Sequence, residues 1–466
     1  MNGNSPYPLA HNLKPQQGDR PPSRFEDAPR RFLAMLQYGW IAVLLLLFLT
    51  SYLGENWTSV LSFPVTDGWC DSAKEGVGAH CFGDYGFPVS RGGQPNVYTP
   101  GNMAAATTPL MAAAFEVFRL IPYRAGVLLY SLILIVAVLF VAWWGAARLS
   151  AVERASAFFT TGLGCLGAIM ALDRGNHIAL IAPLALVYIL SIDKRAWPLA
   201  SVALGVIASV KFWGILLVVG LLARRQYRYA LLGSAIAGVL YVLPLALFSG
   251  DMMTKATSMI EAVTNRGYGA SVSKYAVSLY SFVGRVYCVT KDPLECSRDT
   301  PTASLPYGTV IAVLIAIGLM VWAYAMLVTF RNNAFLAYAP LVSLCFLAVP
   351  EAAPYNLVVT VVMSAVLMRS QWFRDRRTIE EQQQGLVLYG SARRAFWAFI
   401  GALVLSTLPL AIWSFPAASS TGILAWFGSW RLSVWLVPLV WLCAIFMSFV
   451  ALIDSRRRDA HDLGKY

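Results

Sequence analysis

Apolar runs of about twenty residues recur from one end of this chain to the other, and they leave it few folds to choose from. The runs are "WIAVLLLLFLTSYL" (40–53), "GVLLYSLILIVAVLFVAWWGAA" (126–147), "YALLGSAIAGVLYVLPLALF" (229–248), "YGTVIAVLIAIGLMVWAYAMLVTF" (307–330) and "VWLVPLVWLCAIFMSFVALI" (434–453). Each approaches or exceeds what a helix needs to cross a bilayer core, where the backbone must keep its hydrogen bonds within the segment. Of the 466 residues, 58% are hydrophobic and only 13% charged, and the mean hydropathy of +0.60 lies well outside the range of soluble domains. The expected fold class is an all-α polytopic integral membrane protein.

The net charge of +12 sits mostly beside these runs, in Arg24, Arg30 and Arg31, "DKR" (193–195), "RRQYR" (224–228), "RDRR" (374–377), Arg393, Arg394 and "RRR" (456–458). By the positive-inside rule these are cytoplasmic edges. Basic residues scattered over many short loops do not make a nucleic-acid surface, so no nucleic-acid partner is expected. Residues 1–33 are Pro-rich and polar with no cleavage site behind them, which predicts a disordered cytoplasmic tail rather than a signal peptide. Residues 34–453 are expected to form a single transmembrane domain, and 454–466 a basic cytoplasmic tail. Two long segments, about 54–102 and 249–306, fall on the side opposite the basic edges and are expected to be exterior loops. Thirteen apolar segments can be counted. The weakest, "MAAATTPLMAAAFEVFRLI" (103–121), carries Thr107, Thr108, Pro109, Glu116 and Arg119 and is expected to be juxtamembrane or re-entrant. About twelve spans, within a range of 11–13, would then place both termini on the cytoplasmic side.

Cys70 and Cys81 lie in the first expected exterior loop, and Cys288 and Cys296 in the second. Two close pairs confined to these loops predict two disulfides in an oxidising compartment. Cys165, Cys345 and Cys443 fall in apolar runs.

Ionisable residues at membrane depth cost about 2.5–3.5 kcal/mol each on insertion scales and so call for an explanation. "ALDRGNHIAL" (171–180) sets Asp173, Arg174, Asn176 and His177 between two apolar runs. It reads either as a solvated turn or as a site where Arg174 meets an anion, oriented by Asp173 and Asn176. Lys211, in "ASVKFWGILL", stands between two short apolar stretches. It either snorkels to the interface or marks a broken helix around a polar site. In the first loop Asp67, Asp71 and Asp84 are candidate general bases for an acceptor hydroxyl. "PNVYTPGNM" (95–103) supplies a turn around Tyr98, and "TNRGYGASVSKY" (264–275) carries Arg266, Tyr268 and Lys274 for a phosphate or sugar. The four histidines lack ligand spacing, so no metal or other cofactor is expected; an ion at Asp67 and Asp71 is the alternative.

In chain order, "TDGWCDSAKEG" (66–76), "VYTPGNMAAATTPL" (97–110), "RGNHIALIAPLAL" (174–186) and "ASVKFWGILLVVGLLARRQYR" (208–228) resemble elements of the GT-C superfamily of polytopic glycosyltransferases. The likeness is greatest to the family 87 type, which includes polyprenyl-phosphate-mannose- and polyprenyl-phosphate-arabinose-dependent transferases, and it spans roughly residues 35–370. The second proline of a Tyr-Pro-Pro turn is missing at "YTPG", and "VPEAAPYN" (349–356) stands where a late histidine segment is expected.

The resemblance implies a GT-C-like fold and transfer of a mannosyl or arabinofuranosyl unit from a polyprenyl phosphate to an exterior acceptor by inverting displacement. The acceptor would be a glycolipid, a polysaccharide or a protein such as a pilin, and the setting a bacterial inner or plasma membrane with the site on the periplasmic or exterior side. Asp67 is the implied base, with Asp71 and Asp84 as fallbacks. Arg174, Lys211 and Arg266 are the implied phosphate ligands, and Tyr98, Asn176, His177, Tyr268, Glu351, Tyr355 and Asn356 the sugar or acceptor contacts. The competing classes are a secondary transporter or lipid flippase, and a membrane scaffold. Neither the 173–177 segment nor the Lys211 segment recurs as a transporter's internal repeat would require.

Overall fold

The computed structural model describes residues 27–52, 83–90, 97–98, 107–267, 276–291, 307–350, 352, 354–370, 390–409 and 432–463. Asp67, Asp71, Cys70, Cys81, Tyr268, Lys274, Cys296, Glu351 and the side chain of Arg266 lie outside the described residues. Among those described, the chain is 85% helical and has no strand.

Four helices are long and apolar enough to cross a membrane: Tyr123–Ala146, Tyr227–Leu245, Gly308–Thr329 and Trp435–Arg457. A fifth span results if Ala151–Leu163 and Leu166–Arg174, bent by 51° at their junction, count as one. In Tyr123–Ala146 the buried positions Tyr130, Leu134, Val138, Val141 and Gly145 recur every three or four residues, while Leu128, Leu132, Val136 and Phe140 stand exposed on the opposite side. A helix that is apolar on its outer face as well as its inner one is built for lipid.

The expectation of about twelve spans is not confirmed by this count. It rested on counting every apolar segment, and six of the described helices are only 10–17 residues long: Pro109–Phe118, His177–Asp193, Trp197–Val210, Phe212–Ala223, Ala334–Leu347 and Tyr355–Met368. The apolar runs are interrupted by backbone breaks, so one run does not equal one span. Pro109–Phe118, expected to be juxtamembrane or re-entrant, has 10 residues and rises about 15 Å, half a bilayer core.

At the centre, every residue of Ala334–Leu347 and of Thr360–Met368 is buried. Two indole N–H groups are satisfied across helices, Trp322 Nε1 donating to Ser448 Oγ at 2.7 Å and Trp441 Nε1 to Ser406 Oγ at 2.9 Å. Such bonds hold helices together where lipid offers no hydrophobic drive. At both ends the helices run past their expected borders. Ala28–Tyr52 starts inside the expected tail with Pro29 in its first turn, and Arg30 pairs with Glu153 at 2.9 Å. Glu153 also completes a capping box with Ser150. The last helix, Leu432–Leu463, carries the basic triplet 456–458 beyond its apolar part.

Two glycines fix the geometry that the site depends on. Gly175 takes φ 61° and ψ 36°, a left-handed conformation that ends Leu166–Arg174, and Asn176 N–H reaches back to Ala171 O at 2.8 Å. Gly167, the second residue of the same helix, lies against the backbone of Leu357 and Val358, and an added Cβ would collide with both. That approach seats the 3-10 helix Pro354–Val359 on Leu166–Arg174. Gly167→Ala is therefore expected to cost about 1–3 kcal/mol through overpacking against backbone that has no rotamer to yield. A lowered melting temperature of the detergent-solubilised protein would register it; an unchanged melting temperature would show that the helices separate at no cost.

Candidate functional site

Four chain segments converge at one end of the broken helices. The short helix Gly83–Ser90, in the first expected exterior loop, contributes Asp84. It is anchored by Tyr85, which is fully buried and stacks on Tyr130 at 5.0 Å, with Phe115 and Phe118 edge-on at 5.8 and 5.7 Å. The segment 173–177 contributes Arg174, Asn176 and His177; the end of Trp197–Val210 contributes Lys211; Pro354–Val359 contributes Tyr355 and Asn356.

Polarity in "DRGNH" follows from its backbone. Arg174 is the last residue of its helix, and Gly175 turns the chain through the left-handed region. Asn176 then caps the following 3-10 helix, its Oδ1 accepting from Ile178 N–H at 3.0 Å. One stop signal and one start signal thus project both side chains toward Asp84. Arg174 donates from Nε to Asp84 Oδ2 and from Nη2 to Oδ1, both at 2.8 Å, and Asn176 Nδ2 donates to Oδ2 at 2.6 Å. The guanidinium carbon sits 5.2 Å from the Tyr355 ring centroid, a cation–π contact. With Nε and Nη2 committed, Nη1 makes no hydrogen bond among the described residues. The Arg174 and Asp84 side chains keep 26% and 23% of their surface accessible, so the pair lines an opening.

Lys211 sits at a true break. Its φ of −144° and ψ of 121° are extended, between the α-helix Trp197–Val210 and the 3-10 helix Phe212–Val218. Switches to 3-10 geometry inside a helical run often mark functional hinges. The Lys211 ammonium is close enough to Asp84 and His177 to act on both electrostatically. His177 is buried edge-on to Phe115, 6.2 Å between centroids. Neither of its ring nitrogens makes a hydrogen bond of normal geometry, although the Val210 carbonyl lies nearby and accepts from Thr108 Oγ1 at 3.1 Å. Asn356 is also buried, and its Oδ1 has no partner.

Tyr98 belongs to a separate cluster with Val97, Ala112, Leu245 and Phe248, and its hydroxyl donates to Thr107 O at 2.9 Å. Cys288 is buried. Among the described residues no three His, Cys, Asp or Glu side chains come together to hold a metal ion. An apolar cavity of about 720 Å³, lined in part by Trp40, Leu44, Phe159, Leu163 and Ile169, runs beside the helix that ends in Arg174.

The reading of isolated loop aspartates gave no sign that Asp84 would meet Arg174, 90 residues away in sequence. A usable signal was the aromatic Tyr85 beside it, which can bury the short helix and hold its neighbour at membrane depth. Burial alone would raise the Asp84 carboxyl; the Arg174 charge and hydrogen bonds, then Asn176 and Lys211, hold it below the ordinary 3.8. Asp84 is therefore ionised, with both oxygens engaged, and a carboxylate so held is a poor base.

Because its folded pKa is depressed, Asp84 contributes stability that is complete above the unfolded value and is lost as pH falls through the lower folded one. Acid unfolding of the wild type should thus steepen below about pH 4, and Asp84→Asn should flatten that limb. At neutral pH the same variant is expected to cost about 1–3 kcal/mol, less than for a fully buried pair because this one is partly exposed. Melting temperatures measured from pH 3 to 7 test both; parallel curves for the two proteins would refute the pairing.

Compared with known families, residues 108–350 match the model described as glycosyltransferase family 87. Neither the curated proteins nor the solved structures contain a match.

Proposed function

Because the chain belongs to glycosyltransferase family 87, and so is a membrane glycosyltransferase, we propose that its donor is a polyprenyl-phosphate-linked sugar whose phosphate rests on Arg174. One observation carries this reading. Arg174 is held by Asp84, which Asn176 holds in turn, and lies against the Tyr355 ring while about a quarter of its side chain (26%) stays accessible, next to a lysine at a helix break. Two cations at one polar site within a membrane protein suit an anion of more than one charge, and orienting them in advance makes them effective when charge develops on a leaving group.

In the proposed reaction an acceptor hydroxyl oxygen bonds to the anomeric carbon as the bond from that carbon to the phosphate oxygen breaks. Asp67 takes the hydroxyl proton, and polyprenyl phosphate departs with the electron pair, its charge held by Arg174 and Lys211, with Arg266 joining from the second loop. Asp71 is the reserve base. Asp84 acts as a positioning residue for Arg174, and His177, Asn176, Tyr355 and Asn356, with Glu351 and Tyr268, provide the sugar and acceptor contacts. The tail of the donor occupies the apolar cavity along the Leu166–Arg174 helix, whose Ile169 is five residues from Arg174. Each methylene buried there contributes about 0.8 kcal/mol. The sugar is mannosyl or arabinofuranosyl, and the acceptor a glycolipid, polysaccharide or protein outside the cytoplasmic face of a bacterial inner membrane crossed about twelve times. Disulfides at Cys70–Cys81 and Cys288–Cys296 staple the two exterior loops.

Transfer of radiolabelled sugar from synthetic polyprenyl-phosphate-mannose and polyprenyl-phosphate-arabinose to a membrane extract tests the reading. Asp67→Asn should lower the rate by about 10²–10⁴-fold. Arg174→Gln should lower it by about 10–100-fold through loss of a charge-assisted contact. Wild-type protein that transfers neither sugar would reject these donors, and full activity in Asp67→Asn would move the base to Asp71.

A further inference from the structure

The second exterior segment holds a buried arginine that the proposed reaction does not use. Arg285, on the helix Leu279–Lys291, has none of its surface exposed. Its Nη1 donates to Ala276 O at 2.7 Å, and its guanidinium carbon lies 5.5 Å from the Trp435 ring centroid. Phe282, on the same helix, meets Trp435 edge-on at 5.8 Å. A leucine would fill such a place without the cost of burying a charge, so the arginine calls for a function.

The residues Arg285 holds in place are themselves a clamp. Val277 N–H donates to Ala352 O at 2.7 Å, and Ser278 and Ser281 both donate their hydroxyls to Pro350 O, at 2.8 and 2.7 Å. Ser278 Oγ also accepts from Ser281 N–H at 3.1 Å, capping the helix. Ala276, Val277, Ser278 and Ser281 are all buried. The carbonyls they grip belong to the connection between Ala334–Leu347 and Pro354–Val359, and three residues after Ala352 comes Tyr355, whose ring lies over Arg174. A continuous chain of contacts therefore joins the second exterior segment to the guanidinium at the candidate site.

We propose that Arg285 is a positioning residue for that site: by fixing Ala276 it sets the Ser278–Ser281 clamp on Pro350, and through it the place of Tyr355 over Arg174. The proposal rests on the reading of Arg174 as an anion ligand, and it adds a demand that reading does not make. The seating of the Leu279–Lys291 helix and the place of Tyr355 over Arg174 are set together.

Two measurements on the full-length, detergent-solubilised protein separate this proposal from the reading beneath it. The first is amide hydrogen exchange in residues 352–359, without ligand. Arg285→Met should speed exchange there, Arg285→Lys should restore slow exchange by supplying one donor to Ala276 O, and the double variant Ser278→Ala, Ser281→Ala should match Arg285→Met without touching the buried charge. The second is binding of decaprenyl phosphate, with Arg174→Gln as the control for the anion site. Arg285→Met and the double serine variant should bind about tenfold more weakly, and Arg285→Lys close to wild type. If exchange at 352–359 or affinity is unchanged in both Arg285→Met and the serine variant, the proposal is overturned, and the serine variant keeps the test open should Arg285→Met fail to fold. Wild type and Arg174→Gln binding alike would instead overturn the anion site and leave the exchange result to decide the clamp.

Discussion

The bidentate bond between Arg174 and Asp84 joins two parts of the chain that lie 90 residues apart in sequence. One is the end of an apolar helix, the other an eight-residue helix in the first expected exterior loop. Each charge is about three-quarters covered by protein, and leaving either without its partner there costs free energy. Together they form a planar, hydrogen-bonded unit with one edge left over. Asn176 completes the carboxylate and Tyr355 covers the guanidinium, so that three segments meet around one ion pair. The packing beneath serves that arrangement: Gly167 admits the 3-10 helix that brings Tyr355, and the Tyr85 cluster seats the helix that brings Asp84.

Membrane helices of full length satisfy their own backbones and need no polar neighbours. Here several apolar helices stop short, and their ends gather at one place. Helix ends leave N–H and C=O groups without intrahelical partners, which must be met by caps, side chains or ligand. Asn176 and Gly175 meet some of that demand locally. The same breaks that interrupt the apolar runs thus create the polar interior, and a polar interior is what a phosphate and a sugar require.

Much of this was legible in the residues. Long apolar runs give helices, the Gly-Asn pair after Arg174 gives a helix stop followed by a cap, and a lysine between two short apolar stretches gives a break, because each signal is local. The number of spans was not legible, since hydropathy registers apolarity and cannot tell a full span from two half-helices meeting at an angle. Nor was the partnership of Asp84: a carboxylate chooses its cation in three dimensions. Arg285 is an intermediate case. It shares a helical face with Ser281 and Cys288 at spacings of four and three, a pattern that places it on the buried side, yet among loop residues it reads as one more exterior cation. Asp67 and Asp71 lie outside the described residues, so the proposed base rests on the resemblance in sequence.

The break at Lys211 carries one further consequence. Trp197–Val210 rises from the basic turn at 193–195 for 14 residues and then stops. Fourteen residues span about 21 Å, whereas a hydrocarbon core is about 30 Å thick. Measured from the basic edge, the ammonium of Lys211 is thus anchored about 9 Å below the opposite boundary of an ordinary bilayer. A cation so placed keeps water beside it, so the polar interior reaches below the level of the surrounding headgroups. A lipid-borne phosphate would then find its site by sinking beneath the plane of the neighbouring headgroups, which makes bilayer thickness itself a determinant of how readily the donor is engaged.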